Sequence, residues 1–368
     1  MKFFQLKNFL RSFFHSRKIQ IICIILIIGI STTLGIIYYP HSSGTTWYAS
    51  NQYFTPKDSF PPAQIAVKDP SILFFEGSWH LFFTGIQYDE EGIPVRSINY
   101  VSAPTLDELE EAPRFKIKSF SNNTKRTAAP QIFYFEPDNK WYLIAQAEYE
   151  DRYTPIYSTT TNISDPSSWS NVLPLVERFE HDKWIDFWVI CDYTTAYLFY
   201  TRNHEDMYYM ITTLDSFPFG FETPTKVEAN IKVHEASMVY KIKDKQEYWL
   251  LTENQYCGNR REYFISKTST LNGKWSDSEL FATQNDLQFS DPQNQWTSAV
   301  SSGELIRFGY NQMMEIISTE KVEFFFQGAP RVKIFQYSNT EWQLGIIRNF
   351  NDESEGIVYQ NEHSELFM

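Results

Sequence analysis

The chain has 368 residues, of which 42% are hydrophobic and 21% charged, so a disordered or low-complexity protein is excluded. With 32 basic against 45 acidic residues the net charge is −13, and nucleic acid is excluded as a partner because counterion release needs clustered Lys and Arg. Aromatic residues reach 17%, which favours strands and suits stacking against ring-shaped ligands.

Residues 1–18 carry Lys2, Lys7, Arg11, Arg17 and Lys18 and no acidic side chain. Residues 19–39 then run for 21 positions without a charge, long enough to span a bilayer as a helix. We read 1–18 as a basic cytoplasmic tail and 19–39 as a single-pass transmembrane signal anchor, which places the remainder on the luminal or extracellular side. The alternative is a signal peptide cut near Ser31–Thr33, giving a secreted protein. Without the five N-terminal cations, 27 basic residues face 45 acidic ones, a net of −18. The acceptors Asn122-Asn123-Thr124 and Asn162-Ile163-Ser164 fit a glycosylated domain outside the cytoplasm. Residues 40–60 read as a polar stalk and entry segment.

From 61 to 350 the chain is predicted all-β. Short aromatic and β-branched runs alternate with Gly, Asn, Asp and Pro turns, and no long helical period appears. One unit recurs, an apolar strand followed by a polar turn and an aromatic strand. SILFF-EGS-WHLFF starts at Ser71, QIFYF-EPDNK-WYLIAQ at Gln131, FWVI-CDYTT-AYLFYT at Phe187 and SMVYKI-KDKQ-EYWLLT at Ser237. A looser fifth copy begins with ELIRF at Glu304 and returns through VEFFFQG. β-hairpin units repeating at near-regular spacing indicate propeller blades, here five. Residues 351–368 form an acidic C-terminal tail with no strand period. Cys191 and Cys257 are too few for a disulfide framework and are read as free thiols, with a single bridge as the alternative.

Just before each hairpin lie Lys68-Asp69-Pro70, Ala128-Ala129-Pro130, Trp184-Ile185-Asp186, His234-Glu235-Ala236 and Ser301-Ser302-Gly303. Inner strands of a propeller line its axis, so Asp69, Asp186 and Glu235 converge on one mouth. Packed carboxylates repel, and at least one pKa must rise. A protonated carboxyl beside an ionised one is what glycosidic cleavage requires. Taken singly these residues are turn and capping acids, and clustered oxygens also bind calcium.

In order, KDPSILFFEGSWHLF, TAAPQIFYFEPDNKWYLIAQ, YSTTTNISDPSSWS, WIDFWVICDYTTAYLFYT, HEASMVYKIK, LNGKW, SSGELIR and WQLGII resemble glycoside hydrolase family 62, the α-L-arabinofuranosidases acting on arabinoxylan, over roughly Trp47 to Asn349. The resemblance implies a five-bladed propeller and inverting cleavage of arabinose from an arabinose-decorated polysaccharide. It implies Asp69 as general base, Glu235 as general acid and Asp186 as the third carboxylate that holds the sugar and tunes the acid. Lys68 and Gln131 are implied as sugar contacts, with Trp184, Tyr263 and Trp342 as further substrate-binding candidates. The chemistry needs no cofactor. Ser302 stands where the family has a histidine near a central calcium, which puts the metal in question. The tract Arg261–Lys267 lacks an arginine and a tryptophan usual in the family, which implies a shifted substrate. A membrane-tethered carbohydrate-binding propeller without turnover, or a related propeller cleaving arabinan or xylosides, are the rival readings.

Overall fold

The computed structural model describes residues 42–60, 62–121, 126–149, 152–176, 183–255, 261–317, 319–329 and 340–351. Among the described residues twenty-two strands form five sheets around one axis. The first strand, β1 (Trp47–Ala49), is held over for the last blade. Blade I runs outward from β2 (Gln64–Phe75) through β3 (Ser78–Tyr88) and β4 (Pro94–Ala103) to β5 (Phe115–Lys116). Blade II is β6 (Thr127–Phe135), β7 (Lys140–Tyr149), β8 (Arg152–Thr160) and β9 (Leu173–Pro174). Blade III is β10 (Trp184–Cys191), β11 (Thr195–Arg202), β12 (Asp206–Thr213) and β13 (Thr225–Lys226). Blade IV is β14 (Glu235–Ile242), β15 (Tyr248–Gln255), β16 (Arg261–Thr268) and β17 (Glu279–Thr283).

Blade V is assembled from both ends of the domain. Beyond β18 (Leu287–Phe289) come its inner strand β19 (Ser301–Leu305) and the two-residue β20 (Glu315–Ile316), which joins blade IV; β21 (Glu323–Gly328) and β22 (Gln343–Arg348) follow. Strand β1 then pairs antiparallel with β22, Tyr48 opposite Arg348 and Ala49 opposite Ile347, and parallel with β18. The entry segment is therefore not merely a stalk. Trp47 is buried, its indole N–H donates to the Phe281 carbonyl at 3.2 Å, and Phe54 is fully buried against Phe83. A three-residue strand flanked by polar residues carries no readable alternation, and only pairing across the whole domain makes it a strand.

The second strand of each blade is apolar on both faces because neighbouring blades cover it. The runs HLFFT, YLIAQ, YLFYT, WLLTE and EFFFQ are almost wholly buried. The inner ends of the blades are tied at the axis. Glu304 and Arg307, both buried, form an ion pair at 2.5 Å; Glu304 Oε2 accepts from the Ile72 N–H, and Arg307 donates to the Ile72 and Ile132 carbonyls. The segment after Arg307 crosses this end of the axis. It lends Tyr310 O to Tyr134 N–H, Gln312 O to Cys191 N–H and Met314 O to Lys241 N–H, on blades II, III and IV in turn.

The proposed tail 1–18, the span 19–39, the Asn122 acceptor, Cys257 and residues 352–368 lie outside the described residues. Among the described residues no helix is long and apolar enough to cross a membrane. Asn162 is exposed, and Cys191 is buried as a free thiol.

Candidate active site

At the opposite end of the axis every inner strand is interrupted by a bulge. The register with the second strand shifts between Lys68 and Ser71, Ala128 and Gln131, Ile185 and Trp188, Glu235 and Met238, and Ser301 and Gly303. In four of these bulges the first extra residue is left-handed without being glycine, with φ of 48° at Asp69, 51° at Ala129, 56° at Asp186 and 67° at Ala236. Such backbone costs of order 1–3 kcal/mol per residue and persists only where its surroundings enforce it.

The enforcing groups form a ring, one polar residue from the fifth position of each buried second-strand run. Gln327 Oε1 accepts from Asp69 N–H at 3.0 Å, Thr84 Oγ1 from Ala129 N–H at 2.9 Å and Gln146 Oε1 from Asp186 N–H at 3.0 Å. Glu253 Oε2 accepts from Ser302 N–H at 2.8 Å, while the Thr201 hydroxyl donates to Ala236 O at 2.9 Å. Each blade thus grips the bulge of the next. At the fourth bulge the Ala236 N–H goes instead to a carboxylate of the site, Asp186 Oδ2, at 2.8 Å.

The register also shows that the three carboxylates are not equivalent. Asp69 and Asp186 occupy the left-handed position, whereas Glu235 stands one residue earlier, in phase with Lys68, Ala128 and Ile185. All three still meet, lining a cleft of about 110 Å³ with Lys68, Gln146, Arg96 and Tyr153. Lys68 Nζ lies 3.7 Å from Asp69 Oδ1, and Arg96 donates to the Tyr153 hydroxyl at 2.8 Å, joining blades I and II across the rim.

Charge is divided unevenly among the acids. Burial, reinforced by Glu235 and Asp69, pushes the Asp186 carboxyl well above the ordinary range. Burial also works against ionisation of Glu235, but Arg261, aided by His234, Lys68 and His204, overcomes it and holds Glu235 at about 2. Arg261 Nη1 bridges Glu235 Oε1 and Glu253 Oε1, the latter at 2.8 Å. Glu253 is fully buried and also accepts from the Ser301 hydroxyl at 2.9 Å and the Tyr263 hydroxyl at 2.9 Å. The Asp186 pKa therefore rises while that of Glu235 falls, and burial raises Glu253 behind them as well.

Four substrate-binding candidates stand elsewhere. Trp184 is fully buried against Tyr200, because it is one residue out of phase with Ile185 and so points into the sheet stack rather than the cleft. Gln131 is buried beyond the bulge and ties blades II and III, its amide exchanging hydrogen bonds of 2.7 Å with Val189 N–H and O. Tyr263 is fully buried and holds Glu253, so it acts on the site from behind. Trp342 is fully buried among Ala66, Ile86, Ala299 and Ala329. The sequence reading missed Arg261, Glu253, Gln146, Arg96 and Tyr153 as parts of the site. A signal existed for two of them, since Gln146 and Glu253 are the polar fifth residues of otherwise apolar runs.

Ser302 lines this cleft and also the wall of a narrower axial chamber of about 40 Å³ that reaches Asp69, Asp186, Ser237 and several apolar walls. Calcium takes six to eight oxygens. Here Asp186 Oδ2 is engaged by Ala236 N–H and the Ser237 hydroxyl by the Asp186 carbonyl.

Comparison with known proteins agrees with this geometry. The family model described as glycosyl hydrolase family 62 matches residues 47–348. Alpha-L-arabinofuranosidase C of Cellvibrio japonicus (strain Ueda107) is 33% identical over 313 residues, 82% of this chain; the chain spans 46% of that relative's own length. The catalytic domain of a Coprinopsis cinerea GH62 alpha-L-arabinofuranosidase superposes with a TM-score of 0.73 at 28% identity, covering 84% of this chain and 98% of that one. A GH62 hydrolase solved in complex with xylotriose gives 0.73 at 25% identity, covering 84% and 99%.

Proposed function

The chain belongs to glycosyl hydrolase family 62, and from that premise we propose that it is an inverting α-L-arabinofuranosidase removing arabinose branches from arabinoxylan. The observation that carries this reading is the convergence of Asp69, Asp186 and Glu235 on one cleft, where burial pushes the Asp186 pKa up while Arg261 holds that of Glu235 down. A pure binding protein gains nothing from buried like charges that cost stability. The xylotriose held by a structural relative supports a xylan backbone as the polymer. The basic and apolar N-terminal pattern supports a membrane-tethered domain facing outward, where such polymers are met.

Asp69 takes the base role: its carboxylate removes a proton from water as that water attacks the anomeric carbon, and its backbone is held in place by Gln327. Glu235 is the acid that protonates the departing glycosidic oxygen. Arg261 occupies Oε1, so the proton is delivered through Oε2. Asp186 stores that proton in the resting site, and the two carboxyls titrate as one pair. Inversion leaves water between base and sugar, which requires a base–acid separation of about 6.5–9.5 Å.

The test is proton NMR of arabinoxylan treated with the purified full chain. Free arabinose appearing first as the β-anomer is expected, with Glu235→Gln lowering release by about 10²-fold or more while oligosaccharide binding persists. Release of the α-anomer first, or full activity in the variant, would remove this assignment.

A further inference from the structure

Beside the catalytic acid, three ligand-bearing side chains from separate parts of blades III and IV draw together. His204 in the turn between β11 and β12, His234 just before β14 and Glu235 at its start place one ring nitrogen each and a carboxylate oxygen all within 4.8 Å of one another. The mechanism above uses only Glu235. We propose that His204, His234 and Glu235 form a binding site for a borderline divalent transition ion such as Zn²⁺ or Cu²⁺, and that its occupancy withholds Glu235 from proton donation. The binding half of this proposal stands alone; the inhibitory half rests on the proposed function.

The donor set selects the ion. Two imidazoles and one carboxylate suit zinc and copper, whereas calcium and magnesium ask for oxygen alone. The tautomer of His204 is already the ligating one. Its Nδ1 lies 2.8 Å from the His234 carbonyl oxygen, which can only accept, so Nδ1 carries the hydrogen and Nε2 presents a lone pair. A ring N–H tied to a backbone carbonyl is the usual support of a metal-bound imidazole. His234 is steadied in the same way by a hydrogen bond to the Gln255 side chain. Of the Glu235 oxygens, Oε1 is taken by Arg261, and Oε2 makes no hydrogen bond with a described residue.

The turn that carries His204 is held firmly. Asn203 and His204 both have φ of 57°, and Asn203 exchanges hydrogen bonds with the Lys183 backbone at 2.7 and 3.1 Å. The two imidazoles lie stacked, ring centres 4.4 Å apart and planes 21° from parallel. A tetrahedral ion with bonds near 2.0–2.1 Å wants its ligand atoms about 3.4 Å apart, so one ring rotates out of the stack as the ion binds.

The experiment uses the tag-free full chain and His204→Asn, a change compatible with folding because asparagine tolerates a left-handed turn. Electron paramagnetic resonance of added Cu²⁺ is expected to show superhyperfine coupling to two imidazole nitrogens in the parent. In the variant one nitrogen should be lost and affinity should fall at least about tenfold. Zn²⁺ is expected to inhibit arabinose release reversibly under chelation, with the half-inhibiting concentration, read against each protein's own uninhibited rate, raised about tenfold or more in His204→Asn. An identical Cu²⁺ spectrum and affinity in both proteins overturns the site. Equal Zn²⁺ inhibition in both overturns the inhibitory role. A chain that releases no arabinose defeats the proposed function, while the Cu²⁺ measurement still decides the metal site.

Discussion

Asp186 is a carboxyl kept as an acid by its surroundings, and that has two measurable consequences. Burial and the neighbouring Glu235 and Asp69 raise its pKa in the folded chain, while in the unfolded chain it titrates near 3.9. Below that value both states hold the proton and nothing is lost. As pH rises toward the folded value, the unfolded state sheds its proton first, so the native state is progressively destabilised. Asp186→Asn removes that penalty and preserves the acceptor for Ala236 N–H. Thermal unfolding should therefore show no gain for the variant near pH 4 and a gain of a few degrees at pH 7, since 1 kcal/mol corresponds to roughly 2–4 °C at this size. Catalysis should move the other way. With its partner gone, Glu235 is left among Arg261, His234, Lys68 and His204, which all favour its ionised form, and the descending limb of the kcat/KM profile should shift to lower pH; an unmoved limb would show that the pair does not share its proton.

The strand is the scale at which catalytic geometry is set. Four of the five bulges are left-handed at a non-glycine residue, and each of the five is gripped by the polar fifth residue of a neighbouring second strand. Gln327→Ala strands the Asp69 N–H, at a cost of about 1–3 kcal/mol in urea unfolding, and frees the base to drift, so kcat should fall with it. Gln327→Glu keeps an acceptor and should recover most of the activity; equal loss in both variants would show that the grip on Asp69 is not what matters. The hairpin repeat was legible in the sequence because every blade needs an apolar inner strand and a doubly buried second one. The carboxylates were legible because they precede those runs at nearly constant phase. The one-residue offset of Glu235 was not, since a bulge changes register without changing composition. Trp184 and Gln131 were misplaced for a related reason: nearness in sequence to a site residue does not say which face of a strand a side chain takes, and the resemblance that pointed to Tyr263 and Trp342 does not say so either. Strand β1 was hidden because its pairing partner, β22, lies about 300 residues away.

At the scale of the whole molecule, the pair Glu304–Arg307 joins the inner strand of blade V to those of blades I and II. It contacts blades I and II directly, and the segment that follows it pairs with blades II, III and IV. Both groups are buried, and burial raises the Glu304 pKa even with Arg307 beside it. Desolvation therefore offsets much of the Coulombic attraction, and the pair is weak evidence for stability as such. What it does is make the axis all-or-none. Arg307→Met leaves a buried carboxylate without its partner and two carbonyls without their donor, which should cost about 3–5 kcal/mol in denaturant unfolding. Adding Glu304→Gln removes the stranded charge while keeping an acceptor for Ile72 N–H, and should recover a large part of that loss. A double-mutant cycle reads the difference directly. If the double variant is as unstable as Arg307→Met alone, the cost lies in the lost tie to Ile72 and Ile132. The axis is then held by the arginine's hydrogen bonds to the blades, and its charge is incidental.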